Sequence, residues 1–139
     1  MSRVAPLTLE GGCLCGRTRF RVAGAATNRG YCHCRSCRGA SGAPFVAWAT
    51  FPSSGFAITQ GDLTRYASSK KVVRGFCGTC GTALTYAHQA RPEEIDVALA
   101  ALDEPARVPP EFHIWVSHKL PWIALADGLP QYAEWRPET

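Results

Sequence analysis

Residues 77–81 read Cys-Gly-Thr-Cys-Gly, and two further cysteine clusters precede them, Cys-Leu-Cys at 13–15 and Cys-His-Cys-Arg-Ser-Cys at 32–37. Glycines accompany each cluster, with Gly11 and Gly12 before the first, Gly39 after the second, and Gly78 and Gly81 in and after the third. Glycine tolerates the positive φ angles that turn backbone amides toward a sulfur atom. Cys-x-x-Cys-Gly is typical of a zinc knuckle, in which two thiolates lie about 2.3 Å from one tetrahedral ion. The clusters therefore predict a zinc protein.

The cysteine count supports metal binding over disulfide formation. The chain has seven cysteines, an odd number that disulfides cannot fully pair. Residues 1–6 lack the apolar stretch of a signal peptide, so we expect a cytoplasmic protein, in which thiols stay reduced. Buried cysteines without metal are a weaker alternative. A redox role for the 77–80 pair is another, and it lacks the helix and βαβ context of thioredoxin-like motifs.

The composition is typical of a globular chain, with 46% hydrophobic and 19% charged residues. We find no repeat, low-complexity tract or linker, so residues 1–139 are predicted to form a single zinc-binding β domain. No apolar run approaches the ~18–20 residues that cross a bilayer, so no membrane partner is expected. Seven thiolates and two zinc ions would reduce the formal net charge of +4 to about +1. With no dense basic run, we expect no nucleic-acid partner.

Short alternating runs broken by glycine predict a mainly β fold with little helix. Residues 18–22 alternate, with Phe20 and Val22 on one face. The further predicted strands are residues 45–51, 56–60, 63–67, 71–76 and 82–86. The turn Gly61-Asp62 predicts that 56–60 and 63–67 form a hairpin. Residues 95–102 fit either a strand or a short helix.

The spacing of the Cys-x-Cys pairs predicts which side chains share an ion. Side chains alternate along an extended segment, so Cys13 and Cys15 would lie on one face. Leu14 would then point into the core. The same alternation directs His33 away from the cysteines on either side of it. We expect His33 to be a packed or surface histidine rather than a metal ligand.

Seven thiolates fill one tetrahedral site and leave three ligands for a second. The three cysteines of the middle cluster can converge locally, and the two outer pairs can close a four-thiolate site. A closed four-ligand site is structural, whereas a three-ligand site keeps a position open for water or substrate. The alternative is two structural zincs, with a histidine such as His88, His113 or His118 completing the second site. Spacing leaves both divisions open.

The cysteine clusters belong to a longer pattern of motifs. In chain order these are Gly-Gly-Cys-x-Cys-Gly at 11–16, Cys-His-Cys-x-x-Cys-x-x-x-Ser-Gly at 32–42, Phe-Cys-x-x-Cys-Gly at 76–81, Phe-His-Ile-Trp at 112–115, Pro-Trp at 121–122 and Asp-Gly-Leu-Pro-Gln-Tyr at 127–132. This combination resembles the glutathione-dependent formaldehyde-activating enzyme and centromere protein V family. The resemblance covers about residues 9–132, and all seven cysteines fall on the family pattern.

The resemblance implies a β-tent fold, a twisted all-β architecture of small zinc proteins. It implies two zinc ions per chain, a structural one on Cys13, Cys15, Cys77 and Cys80, and a functional one on Cys32, Cys34 and Cys37 with an open fourth position. The named enzyme of the family joins glutathione to formaldehyde, giving S-(hydroxymethyl)glutathione, and is classed as a carbon–sulfur lyase after the reverse reaction. The expected partners are therefore glutathione or a similar thiol, and a small aldehyde.

Several residues near the middle cluster are candidates for substrate contacts. Arg35 and Arg38, with Ser36 between them, could meet a substrate carboxylate, although a solvated basic turn explains either arginine alone. The pocket candidates are Phe45, Trp48, His113, Trp115 and Trp122, for which core packing is the simpler interpretation. The alternative function is a non-catalytic zinc module that binds a protein or a small ligand through the same open face.

Overall fold

Ten strands, one α-helix and four single-turn 3-10 helices make up the regular structure of residues 7–137, the part of the chain described by the computed structural model. The strands are β1 (Leu7–Gly12), β2 (Arg19–Gly24), β3 (Thr27–Cys32), β4 (Val46–Pro52), β5 (Phe56–Gln60), β6 (Thr64–Ala67), β7 (Val72–Phe76), β8 (Ala83–His88), β9 (Glu94–Ala98) and β10 (Phe112–Ile114). The helix α1 spans Arg35–Ser41. No helix in these residues is long and apolar enough to cross a membrane. The mainly β fold with little helix is confirmed.

The strands form two sheets of unequal size. A small antiparallel sheet has the order β1-β2-β5, and a large sheet has the order β10-β3-β4-β9-β8-β7-β6. Neighbours in the large sheet are antiparallel except β10, which pairs with β3 in parallel. The cysteine turns join strands of both sheets, because residues 13–18 connect β1 to β2 and residues 77–82 connect β7 to β8.

The main core lies where the two sheets pack together. Phe20 and Val22 of β2 are fully buried, as their alternation predicts, and pack in one cluster with residues of the large sheet. From β4 and β9 the same cluster includes Ala49, Phe51 and Val97. Since alternate side chains of a strand point to opposite faces, these residues define the face of the large sheet that meets the small one.

The opposite face of the large sheet carries a second buried cluster. Trp48 of β4 pairs with Ala98 of β9, one position out of step with the core-facing Ala49 and Val97. Trp48 and Ala98 pack with two cysteines of the middle cluster, Cys32 and Cys37. The large sheet therefore separates the main core from the middle cysteine cluster.

The predicted hairpin between residues 56–60 and 63–67 is wrong. Both segments contain strands, but β5 pairs with β2 in the small sheet and β6 pairs with β7 in the large sheet. The segment that connects β5 to β6 contacts the turn between β1 and β2 instead, because Thr18 Oγ1 donates to the Asp62 carbonyl at 2.9 Å. At Gly61 the φ angle is +71°, and a Cβ would lie 2.1 Å from the Arg17 carbonyl oxygen. The glycine therefore lets the chain pass close to this turn and cross between sheets.

The remaining strand predictions agree with the structure to within two residues at each end. Residues 95–102, which fitted either a strand or a helix, are divided between the two. The strand β9 ends at Ala98, and a 3-10 turn follows at Leu99–Ala101.

A row of polar side chains crosses four strands of the large sheet. Arg74 of β7 pairs with Tyr86, Tyr86 pairs with Asp96, and Asp96 pairs with Thr50 of β4. Directly paired residues share a face, and Thr50 lies two positions from Trp48, so the row follows the face of the middle cysteine cluster. Thr50 Oγ1 donates to Asp96 Oδ1 at 2.6 Å. Burial raises the pKa of the Asp96 carboxyl to about 6.

Substitution Asp96→Asn should stabilise the protein at neutral pH. A carboxyl whose pKa is higher in the folded state favours folding when protonated, and that contribution is lost as the pH rises toward its folded pKa. The free energy of unfolding of the Asn variant, relative to wild type, should therefore grow by about 1 kcal/mol between about pH 5 and about pH 8. Urea unfolding across this range measures the difference. The exposed Asp62→Asn is the control, and parallel profiles for wild type and Asp96→Asn would contradict the expectation.

Candidate metal centres

The two outer cysteine pairs meet at one point, which we call the first centre. The Sγ atoms of Cys13, Cys15, Cys77 and Cys80 all lie within 4.8 Å of one another. The Sγ of Cys15 is 3.6 Å from that of Cys13 and 3.8 Å from that of Cys77. Four sulfurs at about 2.3 Å from a tetrahedral zinc are spaced by about 3.8 Å. The donor set and its spacing therefore fit a zinc ion.

The two turns of the first centre share a backbone hydrogen-bond scheme. Cys13 N donates to the Thr18 carbonyl and Cys77 N donates to the Thr82 carbonyl, both at 3.0 Å. Each turn also contains a glycine whose N–H donates to the carbonyl of its first cysteine, at positions 16 and 81. The φ angles of these glycines are +81° and +82°. Of the glycines expected to have this role, only Gly81 has a positive φ angle, and in the turn after β1 it is Gly16 that adopts one.

Backbone and hydroxyl donors surround the sulfurs of the first centre. The amides of Thr79 and Cys80 donate to Cys77 Sγ, both at 3.4 Å. The Cys80 amide contributes most to lowering the pKa of the Cys77 thiol to about 7. The Thr82 hydroxyl lies 3.2 Å from Cys80 Sγ and lowers that thiol's pKa to about 5. It also accepts a hydrogen bond from Leu14 N at 3.0 Å, so this hydroxyl links the two turns.

The prediction that Leu14 points into the core, made from the alternation of side chains in an extended segment, is wrong. The Leu14 side chain is 89% exposed. The strand β1 ends at Gly12, and the two residues after Cys13 form a turn, so side-chain alternation does not apply there. The two cysteines still reach one point because the turn curves both sulfurs inward. The sharing of an ion follows from turn geometry rather than from strand geometry.

The middle cluster forms a second centre, built around the start of α1. The Sγ atoms of Cys32, Cys34 and Cys37 lie within 4.8 Å of one another. Cys32 ends β3, Cys34 is the N-cap of α1 and Cys37 lies in its first turn. Cys37 N donates to Cys34 Sγ at 3.4 Å, so a cysteine takes the role that serine or aspartate usually has at an N-cap. The sequence did not indicate this helix, which ends at Ser41 and is followed by the C-cap Gly42 with a φ of +70°.

The second centre has three ligands from the described residues. Within 7–137, no fourth Cys, His, Asp or Glu ligand atom lies within 4.8 Å of all three sulfurs. Both ring nitrogens of His113 have other partners. His88 Nδ1 accepts a hydrogen bond from Ala90 N, and the ring of His118 packs against Trp115. The alternative in which one of these histidines completes the second centre is therefore not supported.

The electrostatics of the second centre call for a cation. Hydrogen bonds from the Cys32 and Cys37 thiols lower the pKa of Cys34 to about 2. The same contact with Cys34 raises the pKa of Cys32. One thiolate is thus stabilised at the expense of its neighbours. All three sulfurs can be ionised together only beside a positive ion, and three thiolates at this spacing fit zinc.

His33 lies between two ligands of the second centre in sequence, and its ring belongs to a buried chain of hydrogen bonds. It is 0% exposed and is not among the converging ligands, which agrees with the prediction of a packed histidine. His33 Nε2 is 2.9 Å from His113 Nδ1, and His113 Nε2 is 2.8 Å from Asp127 Oδ2. Asp127 must accept, so His113 Nε2 carries the proton and His113 Nδ1 accepts from His33. Burial lowers the pKa of His33 to about 4, which keeps it neutral.

The two arginines of α1 lie close to the second centre in sequence. Arg35 is the first residue of the helix and is exposed. Arg38 is half-buried, and its Nε has no hydrogen-bond partner among the described residues. Neither arginine forms an ion pair with a described Asp or Glu. Both guanidinium groups are therefore available for an anionic ligand, and a role toward substrate stays a prediction.

The aromatic candidates differ in their burial. Trp48 packs against Cys32 and Cys37 in the second buried cluster, and Trp115 lies at the edge of the same cluster. The Phe45 ring packs against His33 with ring centroids 4.8 Å apart. The prediction of core packing is wrong for Trp122, whose side chain is 70% exposed.

Sequence reasoning missed Arg74, the residue of the polar row that contacts a cysteine of the second centre. It is 9% exposed, and its Nη2 lies 4.0 Å from Cys37 Sγ. Its guanidinium also lies over the Tyr86 ring, 5.1 Å from the centroid. An arginine in a predicted strand such as 71–76 is ordinarily expected to face solvent, so no local signal marks it.

Known proteins resemble this chain over most of its length. The sequence profile described as glutathione-dependent formaldehyde-activating enzyme matches residues 8–118. A protein of Halomonas elongata named "Putative glutathione-dependent formaldehyde-activating enzyme" is 28% identical over 132 residues, which cover 86% of this chain and 82% of the relative. A crystal structure of a Rhodobacter sphaeroides protein shares the fold, with a TM-score of 0.58 and 23% identity over 89% of this chain and 99% of that one.

Replacing His113 with Phe should destabilise the protein through the buried histidine pair. His113→Phe keeps an aromatic ring but leaves the His33 Nε2–H without an acceptor, which should cost about 1–3 kcal/mol of unfolding free energy. Urea unfolding of the zinc-loaded protein measures this loss. Removing both partners in His33→Phe/His113→Phe should recover part of it. His88→Phe is the matched control, and a His113→Phe variant as stable as that control would show that the chain of hydrogen bonds contributes nothing.

Proposed function

The chain belongs to the glutathione-dependent formaldehyde-activating enzyme family, and from this membership we propose that it is a zinc-dependent carbon–sulfur lyase acting on the adduct of a thiol and a small aldehyde. The reaction is of the type of S-(hydroxymethyl)glutathione synthesis. The thiol is glutathione or a similar small molecule. The proposal places the protein in a reducing compartment such as the cytoplasm, because no two of its seven cysteines form a disulfide.

The observation that supports this proposal is the incomplete ligand set of the second centre. Three cysteine sulfurs converge there, and no fourth ligand of the described chain joins them. A zinc with three protein ligands keeps a position for an exchangeable ligand, which is the arrangement of catalytic rather than structural zinc. We therefore assign Cys32, Cys34 and Cys37 to a functional zinc.

The chemistry needs a thiol held as a nucleophile beside an aldehyde. When bound, zinc would take the substrate thiolate as its fourth ligand and lower the pKa of that thiol. In the synthetic direction the sulfur adds to the carbonyl carbon, one C–S bond forms, the C=O bond becomes single, and the oxygen takes the proton that the thiol gave up. The reverse reaction breaks the C–S bond. The protein's own residues hold the three-sulfur centre in place, and Trp48 packs beside it.

Arg35 and Arg38 would bind the carboxylates of a glutathione-like thiol. Both lie on α1, which begins at the second centre, and neither is engaged with a carboxylate of the described chain. Guanidinium groups suit carboxylates because two parallel N–H donors match the two oxygens. Arg35 is exposed, whereas Arg38 has a buried Nε with no hydrogen-bond partner within residues 7–137, which makes Arg38 the better placed of the two.

The first centre has a different role in this proposal. Its four sulfurs complete a tetrahedral site by themselves, so a zinc there is structural. Because Cys15 and Cys77 are 62 positions apart, that ion would connect the β1–β2 turn of the small sheet to the β7–β8 turn of the large one. Metal binding at such a site contributes directly to folding free energy.

Metal content and folding should separate the two centres. Protein purified without chelator should contain two zinc ions per chain. Cys77→Ala should give misfolded or insoluble protein, because structural zinc contributes on the order of 10 kcal/mol, comparable to the stability of a whole domain. Cys37→Ala should stay folded and lose about one zinc, because its centre closes within six residues. Elemental analysis and thermal unfolding of both variants measure this, and equal collapse of the two would make the second zinc structural.

The function itself is tested by thiol exchange at the second centre. Zinc X-ray absorption should show more sulfur ligands when glutathione is added, and S-methylglutathione, which has no free thiol, should leave the spectrum unchanged. The same protein should accelerate formation of the hydroxymethyl adduct from glutathione and formaldehyde, followed by NMR. If the coordination stays constant and no acceleration is seen, the centre belongs to a non-catalytic zinc module.

A further inference from the structure

Arg74 carries a buried charge that no described carboxylate balances. The side chain is nine-tenths buried, on β7 in the interior of the large sheet. None of the ion pairs among the described residues includes it. Its recorded contacts are the face of Tyr86 and the sulfur of Cys37, the latter at 4.0 Å. Charged side chains this deeply buried are almost always paired, so the partner of Arg74 has to be sought at the second centre.

The second centre would supply the missing negative charge. Three thiolates and a divalent metal have a net charge of about −1, and a fourth thiolate as substrate makes it about −2. Away from bulk water, each uncompensated charge is costly. A positive group beside Cys37 therefore stabilises the centre, and it stabilises the doubly negative state more than the singly negative one.

We propose that Arg74 is the counter-charge of the second centre and that it favours an anionic ligand, the substrate thiolate, over a neutral one in the open position. This inference rests on the proposed function. Arg74 is a positioning residue, since it acts through Cys37. Its pairing with Tyr86 across β7 and β8, and the contact of its guanidinium with that ring, fix the charge in place.

The geometry distinguishes Arg74 from the arginines of α1. Arg35 and Arg38 lie on the helix that carries Cys37 and would recognise the carboxylates at the far ends of a glutathione molecule. Arg74 approaches the same cysteine from the sheet side, and its guanidinium contacts the sulfur itself. Arg74 should therefore matter equally for a thiol that has no carboxylate.

The test compares anionic and neutral ligands on the full chain loaded with Co²⁺. Ligand addition is followed by cobalt absorption, and the difference spectrum reports the second centre because a closed four-thiolate site has no exchangeable position. The ligands are 2-mercaptoethanol, which binds as a thiolate, and imidazole, which binds neutral. The variants are Arg74→Met, Arg74→Lys and the control Arg65→Met, an exposed arginine on the neighbouring strand β6.

Arg74→Met should weaken the affinity for 2-mercaptoethanol about tenfold or more, which corresponds to ~1.4 kcal/mol. Its affinity for imidazole should stay within about twofold of wild type. Arg74→Lys should keep most of the thiol affinity, and Arg65→Met should match wild type for both ligands. Equal weakening of both ligands in Arg74→Met would mean a distorted site and would overturn the proposal, as would unchanged thiol affinity.

Metal retention gives a second measurement. If Arg74→Met loses the cobalt of the second centre while Arg74→Lys keeps it, the counter-charge role is supported; loss in both variants overturns it. Failure of wild type to bind 2-mercaptoethanol would count against the proposed function instead. In that case cobalt retention alone decides the role of Arg74, and equal retention by Arg74→Met and wild type rejects it.

Discussion

Four sulfur atoms held within 4.8 Å of one another can all be ionised only if a cation lies between them, and the arrangement of the sheets depends on that meeting. The sulfurs come from turns 62 positions apart, one in each sheet. The turn between β1 and β2 also binds the chain at Asp62, where the chain leaves the small sheet for the large one. The need of four thiolates for one cation thus brings together a turn from each sheet. Strand propensity alone would not determine that contact.

The second centre differs from the first in where its ligands and its surroundings come from. Its cysteines are close in sequence, but their surroundings come from distant elements. Trp48 packs against them from β4, His33 connects through His113 to Asp127, and Arg74 reaches Cys37 from β7. Local convergence leaves the ligand set incomplete, and the distant elements set its charge and its packing. This combination gives a centre that can exchange a ligand without opening the fold.

The sequence was sufficient for the cysteine clusters and for most of the strands, because those signals are local, whereas only Gly81 of the five expected glycines has a positive φ angle. The sequence failed where the decisive contact is distant. The Gly61-Asp62 turn has the composition of a hairpin, yet its backbone contacts the first cysteine turn instead. Leu14 was placed by strand alternation in a segment that is a turn. Arg74 gave no signal, since its partners lie on other strands and only the register of the large sheet brings them together.

The hydrogen-bonded chain from His33 to Asp127 has a consequence for how the protein emerges from the ribosome. All ligands of the first centre precede β8, so that centre can close while the last third of the chain is still being made. The three cysteines of the second centre are synthesised earlier, but β10 and Asp127, which support them through His113, come near the end. A nascent chain therefore carries three closely spaced thiols without their final support. The second centre is thus the first of the two cysteine sets to be completed and the last to gain its full surroundings.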